Sequence, residues 1–362
     1  MSYERDGDLA AALGKRLCAH GLLRVVDDLL RLAQPAIRLD LTRVDDEASL
    51  PLGASKVGGE PDLPTGTSWP TSNNGAPLPF IAQIRLADIA PFDPENDLPH
   101  DGLLSFFYAM NEPSGELRIE RDMSAWRVAW SREGASLFRL PTPDALTNPL
   151  DSRFPACAVA YARRLTLPGP EAPAIQRLGF TNDERLGYID VALGSDVGYL
   201  PEMDLHLLGY PYQLEPDPFI SAYRAAHGIR EPFSNLSGSE RVWALDALGR
   251  LRNQIAHLSG RWHGERPSED EQQRVWEAAW KQLDLDDQRR ILSAAVPLPL
   301  TDAASRAMTE QVETEWRLLL QIYSNEQAEM DWAGGGVIHF GVKREALAAR
   351  DFSQVWVSLQ FL

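Results

Sequence analysis

Cysteine is nearly missing from this chain: Cys18 and Cys157 are the only two in 362 residues, and neither belongs to a CxxC pair. That removes a disulfide framework and a thiolate zinc site, so both are read as small buried or half-buried thiols. Basic charge is scarce as well, with 35 Lys and Arg against 52 Asp and Glu and a net charge of −17. Attraction to phosphate backbones needs clusters of cations, so nucleic acid is not an expected partner, whereas a basic protein partner suits the charge. No apolar run approaches a membrane span. The first thirty residues place acidic charge before amphipathic spacing, the wrong order for a secretory signal, which leaves a cytoplasmic protein without a membrane partner as the expectation. The common catalytic signatures are also absent: there is no G-x-G-x-x-G, no G-x-x-x-x-G-K-[ST], no H-E-x-x-H and no G-x-S-x-G. No cofactor is expected, and no motif argues for an enzyme.

Metal chemistry finds little support. The seven histidines are His20, His100, His206, His227, His257, His263 and His339. A metal shared by His257 and His263 would need a helix to end at Gly260, and a surface or packed imidazole is the simpler reading. Asp93, Glu95 and Asp97 alternate as in a calcium loop, but Leu98 stands where that loop needs its glycine and Leu104 where it needs its glutamate. No metal site is expected.

What the chain has is a folded composition, 44% hydrophobic and 24% charged, and a readable order of elements. Leu9, Leu13 and Leu17, then Leu22, Val26, Leu29 and Leu30, give two helical segments ending before Pro35, with an apolar stripe that packs on the body of the fold. Ile37, Leu39 and Leu41 alternate as a half-exposed strand. Strands follow over Phe80 to Leu86, Gly102 to Tyr108 and Trp126 to Trp130, then a hairpin turn at Ser131 to Gly134 into Leu137 to Leu140, and another strand over Val159 to Leu165. Ala174 to Leu193 is left between short helix and loop. From Asp217 to about Met308 the period turns helical, with caps at Ser239 and at Ser268 with Glu271. The end returns to strands.

The stretch from Ser55 to Ile84 carries the most information. Adjacent Gly58 and Gly59 permit positive φ or a close backbone approach, and Pro61 and Pro64 hold the chain extended. Its outline recurs. Gly59 and Pro61 match Gly209 and Pro211, Gln83-Ile84 matches Gln321-Ile322, and Gly102 to Phe106 matches Gly336 to Phe340. The spacing between the first and second signals grows where the helical stretch begins. The fold class read from this is α+β, mainly antiparallel β, internally duplicated with pseudo-twofold halves, with N-terminal helices and a helical insertion in the second half. In residues, 1–50 hold the N-terminal helices and first strand, 51–200 the first β-rich half, and 201–362 the second, with the insertion at about 217–308.

The run Ser55 to Pro61 with Leu63-Pro64, the pair Trp69-Pro70, Leu78 to Ile84, Asp101 to Phe107, and Leu318 to Ile322 with Asp331-Trp332 ahead of Gly335-Gly336 together resemble the YwqG family, also called the domain-of-unknown-function 1963 family. The similarity runs from about Ser55 to the C-terminus. It implies an internally duplicated α+β fold of antiparallel strands, in bacterial cytoplasmic proteins, with no established activity. The chain departs from the pattern at Leu208, where the counterpart of Gly58 is often also glycine, and in the size of its helical insertion.

Candidate binding residues cluster at the repeated signals: Lys56, Trp69, Gln83, His206, Tyr210, Gln321, Asp331 and Trp332. They either converge on a groove between the halves, where aromatic walls and a few polar groups make a ligand site, or shape the fold, with each buried glutamine satisfying loop backbone. Gly58, Gly59, Pro61, Gly209 and Pro211 are read as structural loop positions. The functional expectation is a non-catalytic binding or protein-interaction protein, one form being an immunity- or antitoxin-like protein covering a basic toxin. A small-molecule binder or enzyme using the groove between halves is the alternative. Oligomerisation through Trp243, Trp276 and Trp280 of the insertion is a third.

Overall fold

The computed structural model describes residues 6–110, 123–146, 153–193, 205–213, 217–226, 247, 250–251, 269–293, 302–332 and 334–360. The chain divides into two units, one formed by Met1–Phe219 with Gln311–Leu362 and the other by Ile220–Glu310.

In the first unit the leucine spacing of the N-terminus becomes the helix Asp6–Ala19, stopped at Gly21 with φ 81°, and a second helix over Val26–Leu32. Leu17, Leu22, Val25 and Leu29 bury their side chains against Leu167, Ala172, Ile175, Tyr188 and Val191. Those partners come partly from the stretch left open between helix and loop, which forms the helices Pro173–Gln176 and Asn182–Leu193. A capping box explains the second of them. Glu184 N–H donates to Thr181 Oγ1 at 3.2 Å, and Thr181 N–H donates back to Glu184 Oε2 at 2.9 Å.

Twelve strands follow in chain order: β1 (Gln34–Arg43), β2 (Lys56–Val57), β3 (Asp62–Pro64), β4 (Phe80–Arg85), β5 (Leu103–Tyr108), β6 (Trp126–Ser131), β7 (Leu137–Arg139), β8 (Cys157–Thr166), β9 (Leu205–Leu207), β10 (Trp316–Tyr323), β11 (Val337–Lys343) and β12 (Trp356–Gln360). Ten of them make one sheet in the order β12-β11-β10-β9-β1-β8-β2-β4-β5-β6. Every pairing in it is antiparallel, and the long β1–β8 ladder from Gln34 opposite Thr166 to Arg43 opposite Cys157 is its centre. Among the described residues there are ten α-helices, so the fold is mixed α and mostly antiparallel β.

The expected hairpin from Ser131 into Leu137 is corrected. The turn forms, with Ala135 N–H donating to Arg132 at 3.2 Å, but β7 leaves β6 and pairs with β3 in a separate two-stranded sheet. That pairing puts Arg139 opposite Asp62, whose charge, buried at 0% exposure, the guanidinium helps to neutralise.

The large sheet curls until its outer strands meet. Trp126 of β6 packs edge-on against Trp356 of β12 with centroids 5.6 Å apart, and its indole N–H donates to the Val355 carbonyl at 2.8 Å. Inside the curl, Phe106 of β5 meets Phe340 of β11 at 5.1 Å. Since side chains alternate faces along a strand, the neighbours of these phenylalanines, Ser105 and His339, point to the other face. Lys56, Gln83 and Ser105 lie side by side across β2, β4 and β5, and His206, Gln321, His339 and Ser358 do so across β9, β10, β11 and β12. All seven are buried, so loops must cover them.

The second unit contains the helices Ile220–Ala226, Glu269–Gln282 and Leu285–Ser293. Ala247, Leu251, Ala279 and Leu283 form its core cluster, with Trp280 half-buried against them. Arg250 donates to Asp287 Oδ1 at 2.7 Å, joining two of its helical stretches. Trp243, the side chain of Trp276, the caps at Ser239 and Ser268, and His257 with His263 lie outside the described residues. No helix among the described residues is long and apolar enough to cross a membrane.

Candidate functional site

The residues singled out from the sequence fall into separate places. Lys56 and Gln83 stand opposite each other on β2 and β4, and around them the loop Glu60-Pro61-Asp62 closes a charge network. Lys56 Nζ donates to Glu47 Oε1 at 2.7 Å and lies 3.4 Å from Asp62 Oδ1. Asp62 Oδ1 takes a hydrogen bond from Arg139 Nε at 2.9 Å, and its Oδ2 takes one from Gly53 N–H at 2.9 Å and one from Gln83 Nε2 at 2.8 Å. Arg139 also donates to the carbonyls of Glu47 and Leu50, at 2.6 and 3.1 Å. Two cations and two carboxylates thus neutralise one another with nearly every donor used, the condition under which buried charge is tolerated. Burial works against the Asp62 carboxylate, but the Arg139 hydrogen bond and the Lys56 charge outweigh it and hold its pKa below the ordinary value.

The second cluster contains His206, Tyr210 and Gln321. His206 Nε2 lies 3.2 Å from the Tyr210 carbonyl, Gln321 Oε1 accepts from Tyr212 N–H at 2.7 Å, and His339 Nε2 lies 2.8 Å from the Tyr212 carbonyl. Three adjacent strands therefore hold the Tyr210-Pro211-Tyr212 segment by its backbone. Burial, with the charge of Arg164 adding to it, lowers His206 to about 3 despite its bond to Tyr210, and burial lowers His339 to about 4.

The remaining three stand apart. Trp69 packs edge-on against Phe107 at 6.0 Å and donates from its indole to the Leu78 carbonyl at 2.8 Å. Asp331 Oδ1 accepts from Gly334 and Gly335 N–H groups at 2.8 and 3.2 Å, which shapes the turn before β11. Trp332 is fully buried between the rings of Tyr108 and Phe154, at 6.3 and 5.6 Å.

Glu47, Asp62 and Arg139 carry the network and were not singled out from the sequence. A lysine inside a strand asks for carboxylates, but Glu47 lies in a short 3-10 turn and Arg139 on the separate β3–β7 ribbon. No local pattern joins them.

Beside the network lies an open groove of about 550 Å³, lined by Arg43, Asp45, Glu47, Glu60, Arg153 and Phe154 together with backbone around Gly59 and Thr142. Its volume is within the range of about 300–1,000 Å³ found for small-molecule sites. The wall at Gly59 is fixed: φ there is 75°, and a Cβ would stand 2.4 Å from the Glu47 carboxylate. Among the described residues, no group of three His, Cys, Asp or Glu is placed to hold a metal ion. Cys18 is exposed on its helix, which corrects its expected burial, while Cys157 is buried, and burial pushes its thiol up to about 11, away from nucleophilic use.

Fold and site together define an α+β protein whose curled antiparallel sheet carries loop-clamping polar rows and, among the described residues, an open polar groove. The model of the family described as domain of unknown function (DUF1963) matches residues 55–360, and the chain belongs to that family. No curated protein matches it.

Proposed function

We propose that this chain is a non-catalytic binding protein, and that its ligand seats in the groove beside Gly59 and Glu60. The observation that carries this reading is the use already made of the reactive groups. Lys56, Asp62 and Arg139 neutralise one another, and His206 and His339 are buried with nitrogens turned to loop carbonyls. What the groove offers a ligand is a fixed polar wall, with a net charge of −17 on the chain favouring a basic partner. An immunity- or antitoxin-like role in a bacterial cytoplasm is the concrete form that suits the charge. The cavity volume favours a second form, a small-molecule binder.

The same reading includes an internal duplication with pseudo-twofold halves. It is supported by the sheet order, which runs β9-β10-β11-β12 outward from β1 and β2-β4-β5-β6 outward from β8. Register shifts at matching places, Phe80/Ala82 in β4 and Leu318/Leu320 in β10, support it too.

Hydrogen–deuterium exchange against a panel of metabolites and short peptides of both charges tests the function. Protection of residues 43–47 and 59–60, with the protecting compound recovered unchanged, is the expected result. Turnover of a panel compound, or no protection by any, overturns it.

A further inference from the structure

We infer that the groove takes a guanidinium group, carried by a small metabolite or by an arginine of a peptide; this deepens the binding reading above and rests on it. The argument is an account of donors and acceptors along the wall. Charge along the wall is partly balanced: Arg43 pairs with Glu329, and Arg153, exposed, turns one N–H, from Nη2, to the Thr142 carbonyl at 3.4 Å. The Glu47 carboxylate is taken up by Lys56 Nζ at 2.7 Å and by Glu60 N–H at 2.9 and 3.1 Å.

Glu60 is different. Its Oε1 accepts from Thr142 N–H at 3.1 Å, which aims the carboxylate, and its Oε2 takes no hydrogen bond from a described residue. Asp45, exposed on the same wall, accepts none either. The groove therefore presents an oriented, half-used carboxylate with a second one beside it; with Arg43 set against Glu329 and Glu47 against Lys56, these two carboxylates face the single charge of Arg153. A ligand that complements it brings N–H donors and positive charge. Guanidinium fits better than ammonium, because its planar fork reaches two carboxylate oxygens at once. Phe154, Pro155 and Ala156 give the apolar side against which a methylene stem lies.

Isothermal titration of the full chain with agmatine and with acetyl-Gly-Arg-Gly-amide tests this, using the citrulline peptide as the uncharged isostere and acetyl-Gly-Glu-Gly-amide as the opposite charge. At least one guanidinium probe is expected to bind, with the citrulline peptide at least tenfold weaker. Glu60→Gln, which keeps an acceptor for Thr142, is expected to weaken guanidinium binding at least tenfold with an unchanged melting temperature. Asp45→Asn is expected to weaken it less. Binding of agmatine alone assigns a free metabolite, and binding of the peptide alone a protein segment. Preference for the glutamate peptide, lost in Arg153→Gln, overturns the guanidinium assignment and leaves the binding reading standing, as does guanidinium binding that both carboxamide variants leave unchanged. Heat from none of the probes overturns the guanidinium assignment, and the binding reading then falls only if the exchange panel shows no protection either.

Discussion

The side-chain carbonyl of Gln83 accepts a hydrogen bond from the backbone N–H of Asp62 at 2.8 Å. Gln321 does the same for Tyr212 at 2.7 Å. In both places a glycine at positive φ, Gly59 at 75° and Gly209 at 70°, turns the chain, a proline comes two residues later, and the clamped N–H follows the proline. Proline has no N–H, so the next residue carries the first donor after the turn, and a buried donor must be satisfied. A glutamine inside an apolar strand is the satisfying group.

Replacing either glutamine by alanine strands that N–H. Gln83→Ala also removes the donors to Ala54 O and the Asp62 carboxylate, held at 2.7 and 2.8 Å, whereas the Gln321 amide nitrogen stands 3.5 Å from His206 Nδ1, so the bonds to Asp62 make Gln83→Ala the more costly change. Each variant should lose stability by about 1–3 kcal/mol, Gln83→Ala toward the upper end. Urea unfolding checks this. The two share no partner, so the double variant should lose the sum within about 0.5 kcal/mol.

Gly58 and Leu208 both take positive φ, 69° and 61°, yet differ in side chain. A Cβ at position 58 would stand 2.2 Å from the Pro155 carbonyl oxygen, a backbone atom that cannot swing away. Leu208 instead buries its side chain at 5% exposure. Gly58→Ala should therefore cost more than the about 1–2 kcal/mol of the left-handed conformation alone, and Leu208→Ala should cost mainly its buried methylenes. A thermal midpoint for Gly58→Ala equal to wild type would contradict the contact.

Much of this was legible before any coordinates. Leucine spacing marked the N-terminal helices, and alternation marked most strands, because a half-buried sheet writes its period into the chain. The glycine-proline signals marked the loops, and the structural alternative for Gln83, a link to loop backbone, is the one its hydrogen bonds match. The charge network was not legible. Lys56, Glu47, Asp62 and Arg139 meet through the β3–β7 ribbon, and the short strands Asp62–Pro64 and Leu137–Arg139 are too brief for a period to announce their pairing. For Asn182–Leu193 the sequence reading stayed open between helix and loop, although Thr181 and Glu184 stand at capping-box spacing.

Lys56 is fully buried with Glu47 and Asp62 as partners, so Lys56→Met should leave uncompensated negative charge and destabilise by about 3 kcal/mol or more. Glu47→Gln should then cost less in the Lys56→Met background than in wild type, because the charge it removes no longer has its partner. Unfolding free energies of the four chains measure that coupling. Values that simply add would mean the Lys56–Glu47 contact contributes nothing to stability.

Acid should loosen the second cluster before the first. In the folded chain His206 and His339 take protons only near 3 and 4, because burial opposes their charge, whereas an ordinary histidine does so at 6.5. Between those values the unfolded chain binds more protons, so stability falls as pH drops below 6.5, by up to about 1.4 kcal/mol per unit for each histidine. Asp217 works against them: burial pushes it up to about 6 despite the hydrogen bond from Phe219 N–H, so the folded chain holds the extra proton between 6 and 3.8. Glu184, held near 2 chiefly by its hydrogen bond from Arg24, adds a further loss as pH falls below 4.5. Urea midpoints at pH 7, 6, 5 and 4 should decline, and His339→Gln and His206→Gln should each flatten the decline between 6.5 and 4. An equally steep decline in both variants would place the acid sensitivity elsewhere.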